Sequence, residues 1–131
     1  MLGHLGVNVT DLAEAKTYYD RVMPLLGYEP YLSDGLQFAY RPADRQRGPA
    51  LFFYPALEDG QVSRHRPGLQ HLAFVLDTRQ RVHAVHDAVR QLGGEVVHGP
   101  QPFPQYRPHY YATFWLDPEG IMLEALCLRP E

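Results

Sequence analysis

Three residues interrupt runs that otherwise read as buried β-strand: His4 in "HLGVNV", His71 in "GLQHLAFVL" and Glu124 in "IMLEALCL". The surrounding Val, Ile, Leu and Phe suit a half-buried pleated surface, whereas imidazole nitrogens cost free energy there unless they find partners. A buried, unpaired carboxylate costs several kcal/mol, and no Lys or Arg lies within the run that carries Glu124. Two imidazoles and one carboxylate can satisfy one another through a divalent cation. This is the 2-His-1-carboxylate arrangement, which leaves coordination positions open and suits Fe(II), Mn(II), Co(II), Ni(II) or Zn(II). The simpler alternative is that each histidine is a satisfied core residue and Glu124 pairs with a distant arginine.

Side-chain alternation sorts the neighbours of these three. His4, Gly6 and Asn8 share one face of the first strand, and Leu5, Val7 and Val9 the other, which should face a helix. In the same way His71 goes with Ala73 and Val75, opposite Leu72, Phe74 and Leu76. Glu124 shares its parity with Met122 and Leu126, opposite Ile121, Leu123, Ala125 and Cys127. Cys127 is therefore expected to be buried and inert. Phe52 and Tyr54 have inward parity and, with Asn8, are candidates to line an apolar or aromatic substrate pocket.

The elements that must position these residues are written twice. After "HLGVNV" comes a helical stripe of Leu12, Ala15, Tyr19, Val22 and Leu26, with Thr10 or Asp11 as cap and Gly27 as stop. After "HLAFVL" comes a stripe of Val82, Val85, Val89 and Leu92, with Thr78 as cap and Gly93 as stop. Each helix is followed by three β-like runs: "YEPYL", "LQFAYR" and "PALFFYP", then "EVVH", "YYATFWL" and "IMLEALCL". Turns such as "SDG" and "DPEG" separate them. The pattern predicts an α+β chain of two βαβββ modules, about residues 1–57 and 66–131, forming a single domain.

The Pro-rich stretch "HGPQPFPQYRPHY" reads as a long loop, and loops of that length more often rim a binding site than idle. Tyr106, Arg107, His109 and Tyr110 lie in or beside it, and His109 and Tyr110 are the candidate acid and base. Arg107 is a candidate substrate contact. His83 and His86 sit three apart on the second helix and read as a solvated pair.

The formal charge of −3 and the absence of a Lys/Arg run argue against nucleic acid or an anionic membrane as partner. Arg41, Arg45 and Arg47 fall in a solvated loop with Asp44. No apolar run approaches the roughly 20 residues that span a bilayer, and the N-terminus carries no leader pattern. With one cysteine no internal disulfide is possible, which fits a reducing, cytoplasmic compartment.

Through "HLGVNVTDLAEAKTYYDRVMPLLGYEP", "GLQHLAFVL" and "YYATFWLDPEGIMLEAL", nearly the whole chain resembles the vicinal oxygen chelate superfamily. That superfamily holds glyoxalases, extradiol dioxygenases, fosfomycin-resistance thiol transferases, methylmalonyl-CoA epimerases and bleomycin-resistance proteins. The resemblance implies paired modules that curl into an open mixed-sheet cup with helices on the outer face, and a metal that chelates two adjacent substrate oxygens. It implies that His4, His71 and Glu124 are the ligands. Glyoxalases and epimerases usually add a Glu, Gln or His where this chain has Phe52, which neither binds metal nor moves a proton. Extradiol dioxygenases and fosfomycin transferases use a His, His, Glu set, though the extradiol pattern commonly has Tyr at the position of Phe114.

The expected function is thus a metal-dependent lyase, isomerase or dioxygenase of the glyoxalase/extradiol-dioxygenase type acting on a small molecule. The alternatives are a ligand-sequestering protein of the bleomycin-resistance type and a thiol transferase of the fosfomycin-resistance type. Half-sheets that do not close leave edges exposed, so a homodimer is expected, with sites that can draw on both chains.

Overall fold

The computed structural model describes residues 1–131, which divide into two compact units, Met1–Gly60 and Gln61–Glu131. The first unit contains β1 (His4–Val9), α1 (Leu12–Val22), β2 (Tyr28–Ser33), β3 (Phe38–Pro42) and β4 (Ala50–Pro55). The second contains β5 (Leu72–Leu76), α2 (Arg79–Gln91), β6 (Glu95–Pro102), β7 (Tyr111–Leu116) and β8 (Met122–Cys127). The α+β, two-module expectation holds. Each unit folds into a four-stranded mixed sheet of the same order, β1-β4-β3-β2 and β5-β8-β7-β6. In each, the first strand runs parallel to the last, and the remaining pairs are antiparallel.

Of the two cap candidates for α1, Asp11 takes the role: it is extended and its carboxylate accepts the Glu14 N–H. Pro24 has no N–H to continue the helical ladder, and the chain tightens into a 3-10 turn over Met23–Leu26. Gly27 closes it at φ 84°, a conformation that costs glycine least. The helix buries Ala15, Tyr18, Tyr19 and Val22, so Tyr18 joins the expected stripe. Beneath it, Phe53 stacks on Phe38 at 4.7 Å and meets Tyr19 at 4.4 Å. The Tyr40 hydroxyl donates to Asp20 at 2.7 Å, which ties the helix to the sheet. Burial, then the Asp20 carboxylate, pushes that phenol far above the usual tyrosine range.

In α2, Thr78 accepts the Arg81 N–H at 3.1 Å as expected. Val82, Val85 and Val89 are fully buried, each stabilising the fold by on the order of 1.5–3 kcal/mol. The fourth expected stripe residue, Leu92, is instead exposed at the helix end, and Ala88 fills the face. Of the two helical histidines, His83 is exposed as expected, though bonded to a neighbour, and His86 departs from expectation. His83 Nε2 lies 2.7 Å from the Tyr111 hydroxyl, and His86 turns its Nδ1 inward, buried without a hydrogen-bond partner. Helix α2 packs on β6 and β7, and half-buried His86 faces that seam while His83 stays exposed beside Tyr111.

The Pro-rich stretch proves to be half strand. β6 extends through Pro100 and Pro102, with register shifts on either side of His98. It is the edge of its sheet, where a residue without N–H leaves fewer ladder bonds unmade. Only residues 103–110 form the loop, closed by Phe103 N–H on Tyr110 O at 2.8 Å. No helix is long and apolar enough to cross a membrane.

The turn before β8 is held by Asp117, whose Oδ1 accepts the N–H groups of Glu119 (2.9 Å) and Ile121 (2.8 Å). Gly120 takes φ 99° and donates to Asp117 O. Asp117→Ala orphans two donors and is expected to lower unfolding free energy by about 1–3 kcal/mol in urea titration, with Asp117→Asn retaining most of it.

Burial lowers the His86 pKa below its ordinary 6.5. A depressed folded-state value means the neutral ring stabilises the fold above 6.5, and that contribution is lost as pH falls below it. Urea titrations at about pH 7 and about pH 5 should therefore show a smaller acid-induced loss in His86→Leu than in the wild type.

Candidate functional site

β8 is central in its sheet and buried on both faces, yet it carries Glu124, 1% exposed. Strand pairing sets its neighbours: Ala73 of β5 on one side, Phe114 of β7 on the other, and His98 of β6 beyond Phe114. Alternation puts Leu123, Ala125 and Cys127 on the opposite face, and Cys127 is buried and free, as expected. On the Glu124 face, Phe103, Ala112, Phe114, Met122 and Leu126 form an apolar cluster with Tyr110 packed against it. A carboxylate among these side chains is desolvated and must find polar partners.

It finds two. Oε1 lies 3.1 Å from His71 Nε2, and Oε2 accepts the Tyr110 hydroxyl in a short hydrogen bond. His71 immediately precedes β5, and its ring also meets Phe114 at 5.9 Å. Tyr110 is delivered by the compact loop, directly after His109, which adopts φ 64°. A non-glycine residue with positive φ is uncommon and redirects the chain sharply. Burial, then the Glu124 carboxylate, raises the Tyr110 pKa well above the ordinary phenol range. Tyr110 therefore holds its proton toward Glu124 across the physiological range.

The other loop candidates are placed differently. His109 and Arg107 are exposed, and the Arg107 carbonyl accepts the Tyr110 N–H at 3.3 Å. Tyr106 stacks flat on Phe103 at 5.4 Å and meets Tyr110 edge-on at 5.2 Å. Gln70, which no motif singles out, joins the site: its Oε1 meets His71 Nδ1 in a short hydrogen bond. The only sequence signal for it is its place directly before His71.

His4 lies in the first unit, exposed at the start of β1, its ring 5.1 Å from Phe52. The register of the two units is the same: Gly6, two residues after His4, pairs with Phe52, and Ala73, two after His71, pairs with Glu124. Phe52 thus stands in the first unit where Glu124 stands in the second. It stacks on Tyr54 at 6.3 Å. A Cβ on Gly6 would come within 3.2 Å of the Tyr54 ring, so that ring needs the small neighbour. Asn8 and Tyr54 line a shallow cavity of about 570 Å³ with Pro55, Ala56, Leu57 and Glu58. The chain brings His71, Glu124 and Tyr110 together. It forms no group of three His, Cys, Asp or Glu side chains that could hold a metal.

No curated protein matches the sequence at a significant level. Among solved structures, the chain is 29% identical to a candidate glyoxalase of Bacillus halodurans, with TM-score 0.82 over 97% of this chain and 95% of that one. A glyoxalase/bleomycin resistance protein of Albidiferax ferrireducens is 23% identical, with TM-score 0.77 over 99% of each chain. A genomically encoded fosfomycin resistance protein of Listeria monocytogenes shares the fold at 16% identity, with TM-score 0.70 over 97% and 92% of the two chains. A family model matches residues 1–125, and the chain belongs to the Glyoxalase/Bleomycin resistance protein/Dioxygenase superfamily.

Proposed function

We propose that this protein is a metal-dependent enzyme that acts on a small molecule offering two adjacent oxygens. The observation that carries the reading is the buried Glu124 carboxylate, with one oxygen 3.1 Å from an imidazole nitrogen and the other on a phenol. Its ion pair is with a side chain that is not always charged. A nitrogen and a carboxylate oxygen at that separation are a donor set suited to a divalent first-row metal, Fe, Mn, Zn, Ni or Co. His71 and Glu124 would hold the ion, with His4 as third ligand. When bound, it supplies Lewis acidity toward a developing enolate, catecholate or alkoxide.

The remaining residues have separable tasks. The Tyr110 hydroxyl donates to Glu124 Oε2, which orients the carboxylate and leaves Oε1 for the ligand side. His109 and Arg107, exposed beside it, are the candidate proton carrier and substrate contact. Asn8, Phe52 and Tyr54 receive the substrate in the first unit. Phe52 supplies no base, so proton abstraction of the kind a Glu at that position performs is assigned elsewhere. The aromatic row of His4, Phe52 and Tyr54 favours one second reading, ligand sequestration without chemistry.

Metal analysis of purified protein separates the two. Stoichiometric transition metal, lost in His71→Ala and in Glu124→Gln, supports the enzyme; its absence from the wild type, with no rise in melting temperature on adding metal, supports sequestration. Glu124→Gln is expected to keep the apo melting temperature within a few degrees, because the amide oxygen still accepts from Tyr110. A larger loss would make Glu124 structural.

A homodimer belongs to this proposal. β1 and β5 are edge strands, and β5 presents Val75, 65% exposed. If His4 and Glu124 of one site come from different subunits, mixing His4→Ala chains with Glu124→Gln chains restores metal uptake to a fraction of the dimers. Unmixed variants and a mixture that both stay empty would assign all ligands to one chain.

A further inference from the structure

We propose that Gln70 is a positioning residue: its side-chain oxygen fixes His71 as the Nδ1–H tautomer and so presents the Nε2 lone pair to Glu124 and to whatever binds there. An amide oxygen accepts hydrogen bonds and donates none, so the bond between Gln70 Oε1 and His71 Nδ1 requires the proton on Nδ1. A neutral imidazole has one N–H, which leaves Nε2 as an acceptor. Nε2 stands 3.1 Å from Glu124 Oε1, itself an acceptor, while Oε2 is already taken by Tyr110.

Four residues thus form a directed chain, Gln70, His71, Glu124, Tyr110, in which both ends are committed and the middle is not. Two lone pairs face each other across the 3.1 Å gap, and only a proton or a metal cation placed between them relieves the contact. Without Gln70 the ring can carry its proton on Nε2 and donate it to Glu124, and the pair becomes self-satisfied. Any cation would then have to displace that proton. Gln70 is exposed and lies just before β5, so it contributes little to the core and its substitution tests the tautomer rather than the fold. The inference rests on the proposed function for its consequence in metal affinity, not for the tautomer.

The test is long-range 1H–15N NMR of metal-free protein, at a pH well above the ordinary histidine range, with the His71 ring assigned by its loss in His71→Ala. The wild type should show the Nδ1–H pattern, Gln70→Leu the Nε2–H pattern, and Gln70→Glu, which also accepts, the wild-type pattern. Co(II) titration followed by visible absorption should weaken about 10- to 100-fold in Gln70→Leu and recover in Gln70→Glu. An Nε2–H ring in the wild type, or an unchanged tautomer in Gln70→Leu, overturns the proposal, even if Co(II) binds normally. A Gln70-dependent tautomer in a protein that takes up no Co(II) upholds the positioning role and overturns the metal-dependent reading of the site.

Discussion

The carboxylate of Glu124 is a charge-bearing group in the middle of a sheet buried on both faces, and much of the second unit is arranged around that constraint. Desolvating such a group costs several kcal/mol. One hydrogen bond from Tyr110 offsets about 1.5–3 kcal/mol of it, the range for bonds to charged groups. The remainder falls on the second oxygen, which faces an imidazole. The constraint therefore reaches outward: the loop must close tightly enough to deliver Tyr110, His71 must stand at the mouth of β5, and the turn at Asp117 must start β8 in the right register. A slip of one residue in β8 would turn Glu124 toward α2 and Leu123 toward Tyr110.

Duplication gives the chain two versions of one strand pairing. In both, a histidine at or just before the first strand precedes by two the residue that pairs with the middle of the last strand. The versions differ in what stands there: Phe52 in one unit, Glu124 in the other. An aromatic ring packs against its histidine at 5.1 Å and needs no polar partner, whereas a carboxylate demands one. The first unit thereby carries an aromatic row of His4, Phe52 and Tyr54, and the second a carboxylate held by His71 and Tyr110. The same backbone supports both because its pairing depends on main-chain groups and not on which side chain fills the position.

The packing of the 103–110 loop has a comparable origin. Phe103, Tyr106, Tyr110 and Phe114 contact one another ring to ring at 5.2 to 6.4 Å. Aromatic pairs contribute about 0.5–1.5 kcal/mol each beyond their buried area. A loop built this way is ordered by its own side chains. Positive φ at His109 is tolerated within that frame.

Local rules were enough to read the element order, the caps at Asp11 and Thr78, the turn at "DPEG", the doubling of the βαβββ pattern and the faces of His4, His71 and Glu124. Those features depend on residues a few positions apart, through alternation, helical period and turn chemistry, and the sequence states them directly. Other features depend on what a residue meets across the sheet. The strand running through Pro100 and Pro102 follows from β6 being an edge, which no local pattern reveals. His86 turned inward, Leu92 left exposed and His83 bonded to Tyr111 follow from where α2 rests on the sheet. Tyr110 was legible as a polar residue in a Pro-rich loop, but its bond to Glu124 joins positions 14 apart in sequence and needed the loop to fold. Gln70 and His71 are adjacent in the chain, yet that adjacency acquires chemical meaning only once Glu124 occupies the other side of the ring, because a tautomer is decided by the partners of both nitrogens together.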